Sequence, residues 1–424
     1  MAVYLGLGSN QGDRKQNITD AIDRLISAGF RLHQVSPMVE SPAMLPDGAE
    51  SGWNKPYLNL VIRGDADWSP ARGLAIAKDI EAALGRVDGP RWSPRTMDID
   101  LLLWHDQKVN TADLTIPHSG LQQRDFVITP LMHLDPGVQI PGLHQSVFEL
   151  SQGRRNIPLW MGIVNITPDS FSDGDSWFDR EALDTHLDKL IERDVHIIDV
   201  GAESTRPNAE QVDADTEWQR LAPVISMINE KLSGRRIRPL ISLDSRHPEV
   251  VARAIEAGID IINDVTGLDD PEMAAVAKDS GLQIVAMHAM SVPVDPKMLL
   301  PDDRPATGQL RQWIEQKAEQ WTRLGIDLNK MIVDPGIGFG KTSIQAYHLM
   351  SHCAELRQCG MRLLVGHSRK SFMAGFTDRP AALRDLETLG ISMALCQQGV
   401  DIIRVHQPFI HQRAYRAWSH INLE

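Results

Sequence analysis

Cysteine is scarce: the 424 residues hold three, Cys353, Cys359 and Cys396, all late in the chain. Three thiols cannot all pair within one chain, and none forms a CxxC motif. Buried free thiols in a reducing cytosol are expected. Long hydrophobic runs are missing, since no segment reaches the ~18 unbroken apolar residues of a membrane helix. The opening MAVYLGLGSN lacks a basic region followed by a long apolar stretch. No leader and no membrane contact are therefore expected, and the cytoplasm is the expected location. Runs of like charge are absent too, and the net charge is −13. That disfavours nucleic acid as a partner, because backbone affinity needs a basic surface. An anionic substrate must be met by local Arg, Lys or metal ions. A G-x-S-x-G elbow is also missing, so no serine nucleophile of that kind is expected.

What is present fits a soluble globular chain of two domains: 42% apolar and 23% charged residues over 424 positions. The first 150 residues read as strand Val3–Leu7, helix Asn17–Ala28, strand Arg31–Val39, strand Tyr57–Arg63, helix Pro70–Leu84 and strand Ile99–Trp104. Ser41–Pro56 reads as a long loop. This βαββαβ order predicts an α+β ferredoxin-like domain. The short basic stretch Gly153–Pro158 separates it from the rest. The expected division is 1–152, a linker at 153–157, and a second domain over 158–424.

Beyond the linker eight apolar runs recur: Leu159–Ile166, His196–Val200, Pro239–Leu243, Ile259–Asn263, Gln283–Met287, Met331–Val333, Leu363–Val365 and Ile402–Val405. Helical segments such as Glu181–Arg193, Pro248–Ala257 and Gly308–Leu324 lie between them. The alternation implies parallel pairing, and eight units fit an α/β (β/α)8 TIM barrel. A doubly wound open sheet competes on pattern alone.

Two glycine-rich stretches are decoys. Gly6-Leu-Gly8-Ser-Asn-Gln-Gly12 misses the dinucleotide fingerprint, because Gln11 stands where the third glycine is needed. Gly336-Ile-Gly338-Phe-Gly340-Lys341-Thr342 misses the Walker A spacing, because Pro335 stands where its first glycine belongs.

Chemistry concentrates in Arg91-Trp-Ser-Pro-Arg95-Thr-Met-Asp98-Ile-Asp100. Asp98 and Asp100 alternate on a strand, so both carboxylates face one side. Such a pair suits Mg2+, which shares its shell with substrate phosphates. Arg86, Arg91 and Arg95 stand ready to neutralise a polyphosphate. A solvated Asp pair at a strand edge is the plain alternative.

In the second domain every expected strand end carries polar residues: Asn165, Glu203-Ser-Thr205-Arg206, Asp244, Asn263-Asp264, His288, Asp334, Ser368-Arg369-Lys370 and Arg404-Val-His406. Catalysis in a barrel sits at these C-terminal ends, and phosphate binds after strands 7 and 8. The residues alone indicate a barrel enzyme acting on an anionic, phosphorylated substrate.

LGLGSNQGDR (5–14), YLNLV (57–61) and RWSPRTMDIDLLLW (91–104) resemble 6-hydroxymethyl-7,8-dihydropterin pyrophosphokinase over about 1–150. The resemblance implies transfer of the β,γ-diphosphate of ATP to the pterin hydroxymethyl group. It implies two Mg2+ ions on Asp98 and Asp100, and ATP contacts from Arg86, Trp92, Arg95, His118 and Arg124. It implies a pterin between Tyr57 and Phe126, with Asn59 at its edge. One departure is Val-Asp-Gly-Pro-Arg between Arg86 and Trp92, which lacks a lysine some family members carry.

ITPDSFSDG (166–174), ESTRP (203–207), INDV (262–265), DPGIGFGK (334–341), GHSRKS (366–371) and IRVH (403–406) resemble dihydropteroate synthase over about 158–424. That resemblance implies condensation of the pterin diphosphate with p-aminobenzoate and release of pyrophosphate. It implies pterin contacts from Asp244, Asn263, Asp334 and Lys370. Asn165, Arg404 and His406 would take the diphosphate, with one Mg2+ near Asn165, and Thr205, Arg206 and Ser368 the p-aminobenzoate. Asp244 and Lys370 are the implied catalytic groups here, as Arg95, Asp98 and Asp100 are in the first domain. Relatives pair through barrel helices and bind sulfonamides, so a homodimer and sulfonamide competition are expected. The departures here are Asp175, where a glycine is common, and a loop after strand 5 without its expected glycine. The alternative function keeps catalysis in the barrel alone and makes the first domain a pterin-binding or assembly module.

Overall fold

The computed structural model describes residues 2–87, 89–90, 92–154, 156–166, 180–204 and 211–421. Arg91, Thr205, Arg206 and Asp175 lie outside the described residues, as does Asp88 of the loop that lacks the lysine. The chain divides into two compact units, residues 1–157 with 416–424, and residues 158–415.

The first unit runs β1 (Val3–Ser9), α1 (Arg14–Ser27), β2 (Arg31–Val35), β3 (Val39–Ser41), β4 (Tyr57–Asp65), α2 (Pro70–Ala83) and β5 (Asp98–Trp104). A small pair, β6 (Val109–Asn110) and β7 (Thr115–Ile116), and helices α3 (Asp125–Leu134) and α4 (Val147–Ser151) follow. The sheet order is β2-β4-β1-β5, with β3 also on β4 and every pairing antiparallel. This is the ferredoxin-like arrangement the element order predicts.

Local chemistry explains where expectation and structure differ. Helix α1 begins three residues early because the Asp13 carboxylate accepts from the Gln16 N–H and caps it. Its apolar stripe, Ile18, Ala21, Ile22 and Leu25, is buried as its spacing predicts. The expected strand Arg31–Val39 is split, because Pro37 offers no ladder N–H. Ser36 bridges the gap: its N–H donates to the Val61 carbonyl and its hydroxyl accepts from the Val61 N–H, both at 2.9 Å. Gly6 and Gly8 lie inside β1, between β4 and β5, and not in a phosphate loop. Gly8 pairs with Asn59, and a Cβ there would come 3.0 Å from the Asn59 amide oxygen.

The second unit is a closed barrel of eight parallel strands. They are β8 (Leu159–Asn165), β9 (Ile197–Gly201), β10 (Leu240–Asp244), β11 (Ile261–Asp264), β12 (Gln283–Met287), β13 (Met331–Asp334), β14 (Arg362–Val365) and β15 (Ile402–Val405). Closure through β15–β8 and β9–β10 excludes the open sheet. The helices are α5 (Arg180–Glu192), α6 (Ala214–Leu232), α7 (Pro248–Glu256), α8 (Pro271–Ser280), α9 (Ala306–Leu324), α10 (Ser343–Ser351), α11 (Cys353–Arg357), α12 (Asp385–Gln397) and α13 (Pro408–Ile421), whose residues from 416 on fall in the first unit. The strands are buried on both faces, which is why they read as continuous apolar runs. No described helix is long and apolar enough to cross a membrane.

Candidate functional site

In the first unit, β5 carries Asp98 and Asp100 two residues apart on one face. Arg86 Nη1 and Arg95 Nη1 donate to Asp98 Oδ1 at 2.8 and 2.9 Å. Arg124 Nη1 donates to Asp100 Oδ2 at 2.9 Å, and His118 Nε2 lies 3.6 Å from its other oxygen. Burial, then the neighbouring Asp98 charge, raises the Asp100 carboxyl above its ordinary range. Three arginines gathered from a helix end, a loop and the start of α3 thus meet one carboxylate pair. Phe126 lies beside this group, with the Arg124 guanidinium 5.8 Å from its ring centre. Tyr57 stands at the start of β4, close enough to feel Asp98, Arg95, Arg86 and Arg124. Asn59, two residues on and therefore on the same face, is buried and donates to the Ser41 hydroxyl at 3.0 Å. Trp92 takes a positive φ of 77° in the turn before β5.

Two supporting residues escaped the sequence reading. Glu81 of α2 is 6% exposed. It accepts from the Ile99 N–H, between the two aspartates, at 2.7 Å and pairs with Arg86 Nη1 at 2.5 Å. An acid on the same helical stripe as Gly73, Ala77 and Ile80 was the available signal. Asn10 is the second: its side-chain oxygen accepts from the Arg95 N–H at 2.7 Å and its N–H donates to the Arg95 carbonyl at 3.2 Å. The opening motif therefore holds the arginine loop by its backbone.

Glu81 also yields a pH prediction. Burial pushes its carboxyl from 4.5 up to about 7, with the Ile99 N–H and Arg86 opposing. A raised folded-state value favours the protonated form. Its contribution to stability is therefore full below pH 4.5 and lost as pH rises through about 7. Glu81→Gln keeps the acceptor for Ile99 without the proton equilibrium. The variant's urea midpoint should gain on the wild type between about pH 5 and about pH 7.5. A constant difference between the two midpoints would remove Glu81 as the titrating group.

In the second unit the polar groups converge at the C-terminal strand ends. Arg404 of β15 donates from Nε to Asp199 Oδ2 at 2.6 Å and from Nη2 to Asp244 Oδ2 at 2.8 Å. Asn263 Nδ2 donates to the other Asp199 oxygen at 3.2 Å. Asp244 and Asn263 are register neighbours on β10 and β11. Gly201 lies opposite Asp244, where a Cβ would meet the Asp244 Cβ at 3.2 Å. Burial pushes Asp244 up to about 7 against the opposing charge of Arg404. Asp334 is likewise raised by burial and opposed by Lys370, and accepts from the Gly336 N–H at 2.7 Å.

Lys370 donates to the Ile337 carbonyl at 2.5 Å and sits 4.8 Å from the Phe339 ring centre. Burial lowers its pKa to about 8, with Asp334 opposing. The Ser368 hydroxyl and His406 Nδ1 are 2.8 Å apart, so these neighbours come from the loops after β14 and β15. Arg369, an anion candidate by sequence, is turned onto Asp385 of α12 in a two-pronged pair of 2.7 and 2.9 Å. Asn165 closes β8 beside Gly201.

The Walker-like stretch is a packed loop. Gly336 has φ 65°, and a Cβ there would fall 1.9 Å from the His288 carbonyl oxygen. Lys341 Nζ lies 2.6 Å from that oxygen, 3.0 Å from the Phe339 carbonyl and 2.8 Å from His288 Nδ1. Burial lowers Lys341 to about 7. It is an internal anchor and not a phosphate ligand.

Known proteins share this layout. Residues 4–136 match the model of the 7,8-dihydro-6-hydroxymethylpterin-pyrophosphokinase family, and residues 161–406 that of the pterin binding enzymes. The folate synthesis bifunctional protein of Chlamydia caviae is 36% identical over 99% of both chains. Folic acid synthesis protein fol1 of Schizosaccharomyces pombe is 34% identical over 95% of this chain and 57% of its own. Among solved structures, Xanthomonas albilineans dihydropteroate synthase with 4-aminobenzoic acid has TM-score 0.57 and 30% identity, covering 62% of this chain and 93% of that one. The Anaplasma phagocytophilum enzyme with 6-hydroxymethylpterin-monophosphate has TM-score 0.56 and 29% identity, covering 62% and 99%.

A ferredoxin-like domain ahead of a pterin-handling barrel defines a two-step transferase. The chain belongs to the bifunctional folate-synthesis family, joining a hydroxymethyldihydropterin diphosphokinase to a dihydropteroate synthase.

Proposed function

We propose that residues 1–152 carry the diphosphokinase step and residues 158–424 the synthase step, with the following division of labour. Arg86, Trp92, Arg95, His118 and Arg124 hold ATP, while Tyr57, Asn59 and Phe126 hold the pterin. Supporting this is the convergence of Arg86, Arg95 and Arg124 on Asp98 and Asp100. Two partly buried carboxylates on one strand face fit Mg2+, which takes oxygen ligands and shares substrate phosphates. Two ions held there would neutralise the polyphosphate. Among the described residues no group of three or more His, Cys, Asp or Glu forms a complete metal cage. The open shell is the kind that leaves room for phosphate oxygens. The arginines would then exchange carboxylate partners for phosphates, and positioning does most of the work in such a transfer.

In the barrel, Asp244, Asn263, Asp334 and Lys370 hold the pterin, and Arg404, His406 and Asn165 the diphosphate. Thr205, Arg206 and Ser368 take p-aminobenzoate. Arg404 and His406 stabilise charge developing on the leaving pyrophosphate. Asp244 faces the positive character left on the pterin carbon, and the arylamine attacks without an enzyme nucleophile. One Mg2+ near Asn165, at the end of β8, belongs to the same proposal, and no step above is routed through it.

Cytoplasmic residence, a barrel-mediated homodimer and sulfonamide competition belong to the same proposal. Against the first, relatives from Arabidopsis thaliana and Pisum sativum are named mitochondrial. Mass spectrometry of a reaction with ATP, Mg2+, 6-hydroxymethyl-7,8-dihydropterin and p-aminobenzoate is the test. Dihydropteroate, AMP and pyrophosphate are expected, and EDTA should stop AMP formation. Turnover of supplied pterin diphosphate without any AMP would leave the first domain a binding or assembly module.

A further inference from the structure

Among the described residues, Asp199 is a fully buried carboxylate that ties two of the proposed site residues, Arg404 and Asn263, together, and the division of labour above gives it no role. It sits in the middle of β9 at 0% exposure. Oδ2 accepts from Arg404 Nε at 2.6 Å and Oδ1 from Asn263 Nδ2 at 3.2 Å. Its partners come from β15 and β11, each two strands away around the barrel. Burying a charge is costly, and a paired one often adds no net stability over an apolar replacement. A reason other than stability is therefore needed for its place in the barrel interior.

We infer that Asp199 is a positioning residue that sets the hydrogen-bond polarity of the pterin site. An ionised carboxylate only accepts. Asn263 must therefore turn its NH2 toward Asp199, which uses one of its two N–H donors and turns the carboxamide oxygen to the side away from the carboxylate. The site then offers an acceptor at Asn263, suited to an N–H edge of the heterocycle. The same carboxylate holds Arg404 by Nε, so that Nη2, now on Asp244, can exchange partners while Nε keeps the guanidinium in place. An amide at position 199 could both donate and accept. Asn263 would then be free to flip, and Arg404 would lose one of its two charge partners.

The inference rests on the pterin assignment above, and the experiment separates the two. The full-length chain and its Asp199→Asn variant are supplied with pterin diphosphate and p-aminobenzoate, which bypasses the kinase step. The variant should lose about 100-fold in kcat/KM for pterin diphosphate while its KM for p-aminobenzoate stays within about twofold. Combined with Asn263→Ala, Asp199→Asn should cost much less than it does alone, because the two act as a unit. A loss below about threefold, equal damage to both substrates, or additive losses in the cycle overturns the inference. A wild type that fails to use pterin diphosphate overturns the pterin assignment instead.

If Asp199→Asn does not fold, Asn263→Asp carries the same question. It puts two carboxylates in contact, near Arg404 and Asp244, and one must hold a proton. Protonated, residue 263 donates to Asp199 as the amide does. Turnover relative to wild type should then rise as pH falls, and a profile parallel to wild type overturns the inference.

Discussion

Asp98→Asn is expected to lower AMP formation from ATP and hydroxymethyldihydropterin by on the order of 10³-fold, with the synthase step on supplied pterin diphosphate unchanged. The substitution keeps size and shape, so the fold of β5 should hold. What it removes is half the charge of the Asp98–Asp100 pair. Arg86 and Arg95 both donate to Asp98 Oδ1. In the variant they face a neutral amide, and a metal loses a carboxylate ligand. Both effects weaken the alignment of a polyanionic substrate. The assay reads AMP by mass spectrometry alongside dihydropteroate made from supplied intermediate. Near-normal AMP formation would break the assignment of the carboxylate pair. Equal loss of both activities would point to misfolding.

The second large effect is expected at Lys370. Lys370→Met should lower synthase kcat/KM by on the order of 10²- to 10³-fold and leave AMP formation intact, so that pterin diphosphate accumulates. Lys370 is packed by Phe339, bonded to the Ile337 carbonyl and faced by Asp334. Burial has lowered it to about 8, so its ammonium is present below that pH and lost above it. The wild-type synthase rate should fall as pH rises through about 8. Lys370→Arg, which stays charged, should move that fall to higher pH whatever it does to the rate itself. An unchanged alkaline limb in Lys370→Arg would assign the titration to another group.

Much of both sites was legible because their residues cluster at strand ends. Asp98 and Asp100 announce a shared face through alternation alone. The eight polar strand ends mark one mouth of a barrel. What the pattern could not tell was which of those groups are already occupied. Arg369 and Lys370 are chain neighbours of like charge, yet Arg369 is taken up by Asp385 and Lys370 lies near Asp334. Lys341 looks like a phosphate lysine and is an anchor for two loop carbonyls. Asp199 sits inside an apolar strand run, where a single acid reads as an interruption, and Glu81 follows Lys78 and Asp79 on α2, where one more charge reads as a solvated face.

The one-dimensional chain by itself determined the element order, the change of rhythm near residue 153 and the two sets of motifs. These follow from side-chain periodicity and local capping, which neighbouring residues dictate. Even the early start of α1 at Asp13 and the split at Pro37 are local effects. Tertiary structure alone decided the pairings across distance: Arg124 with Asp100, Asn10 with the Arg95 backbone, and Arg404 with Asp199, 205 positions apart. A hydrogen bond forms where two groups meet in space with water excluded, and sequence separation carries no information about that meeting. Barrel closure is the physical event that brings β15 opposite β9 and β10. Until then Asp199, Asp244 and Arg404 are three solvated charges, and closure joins them into one hydrogen-bonded group.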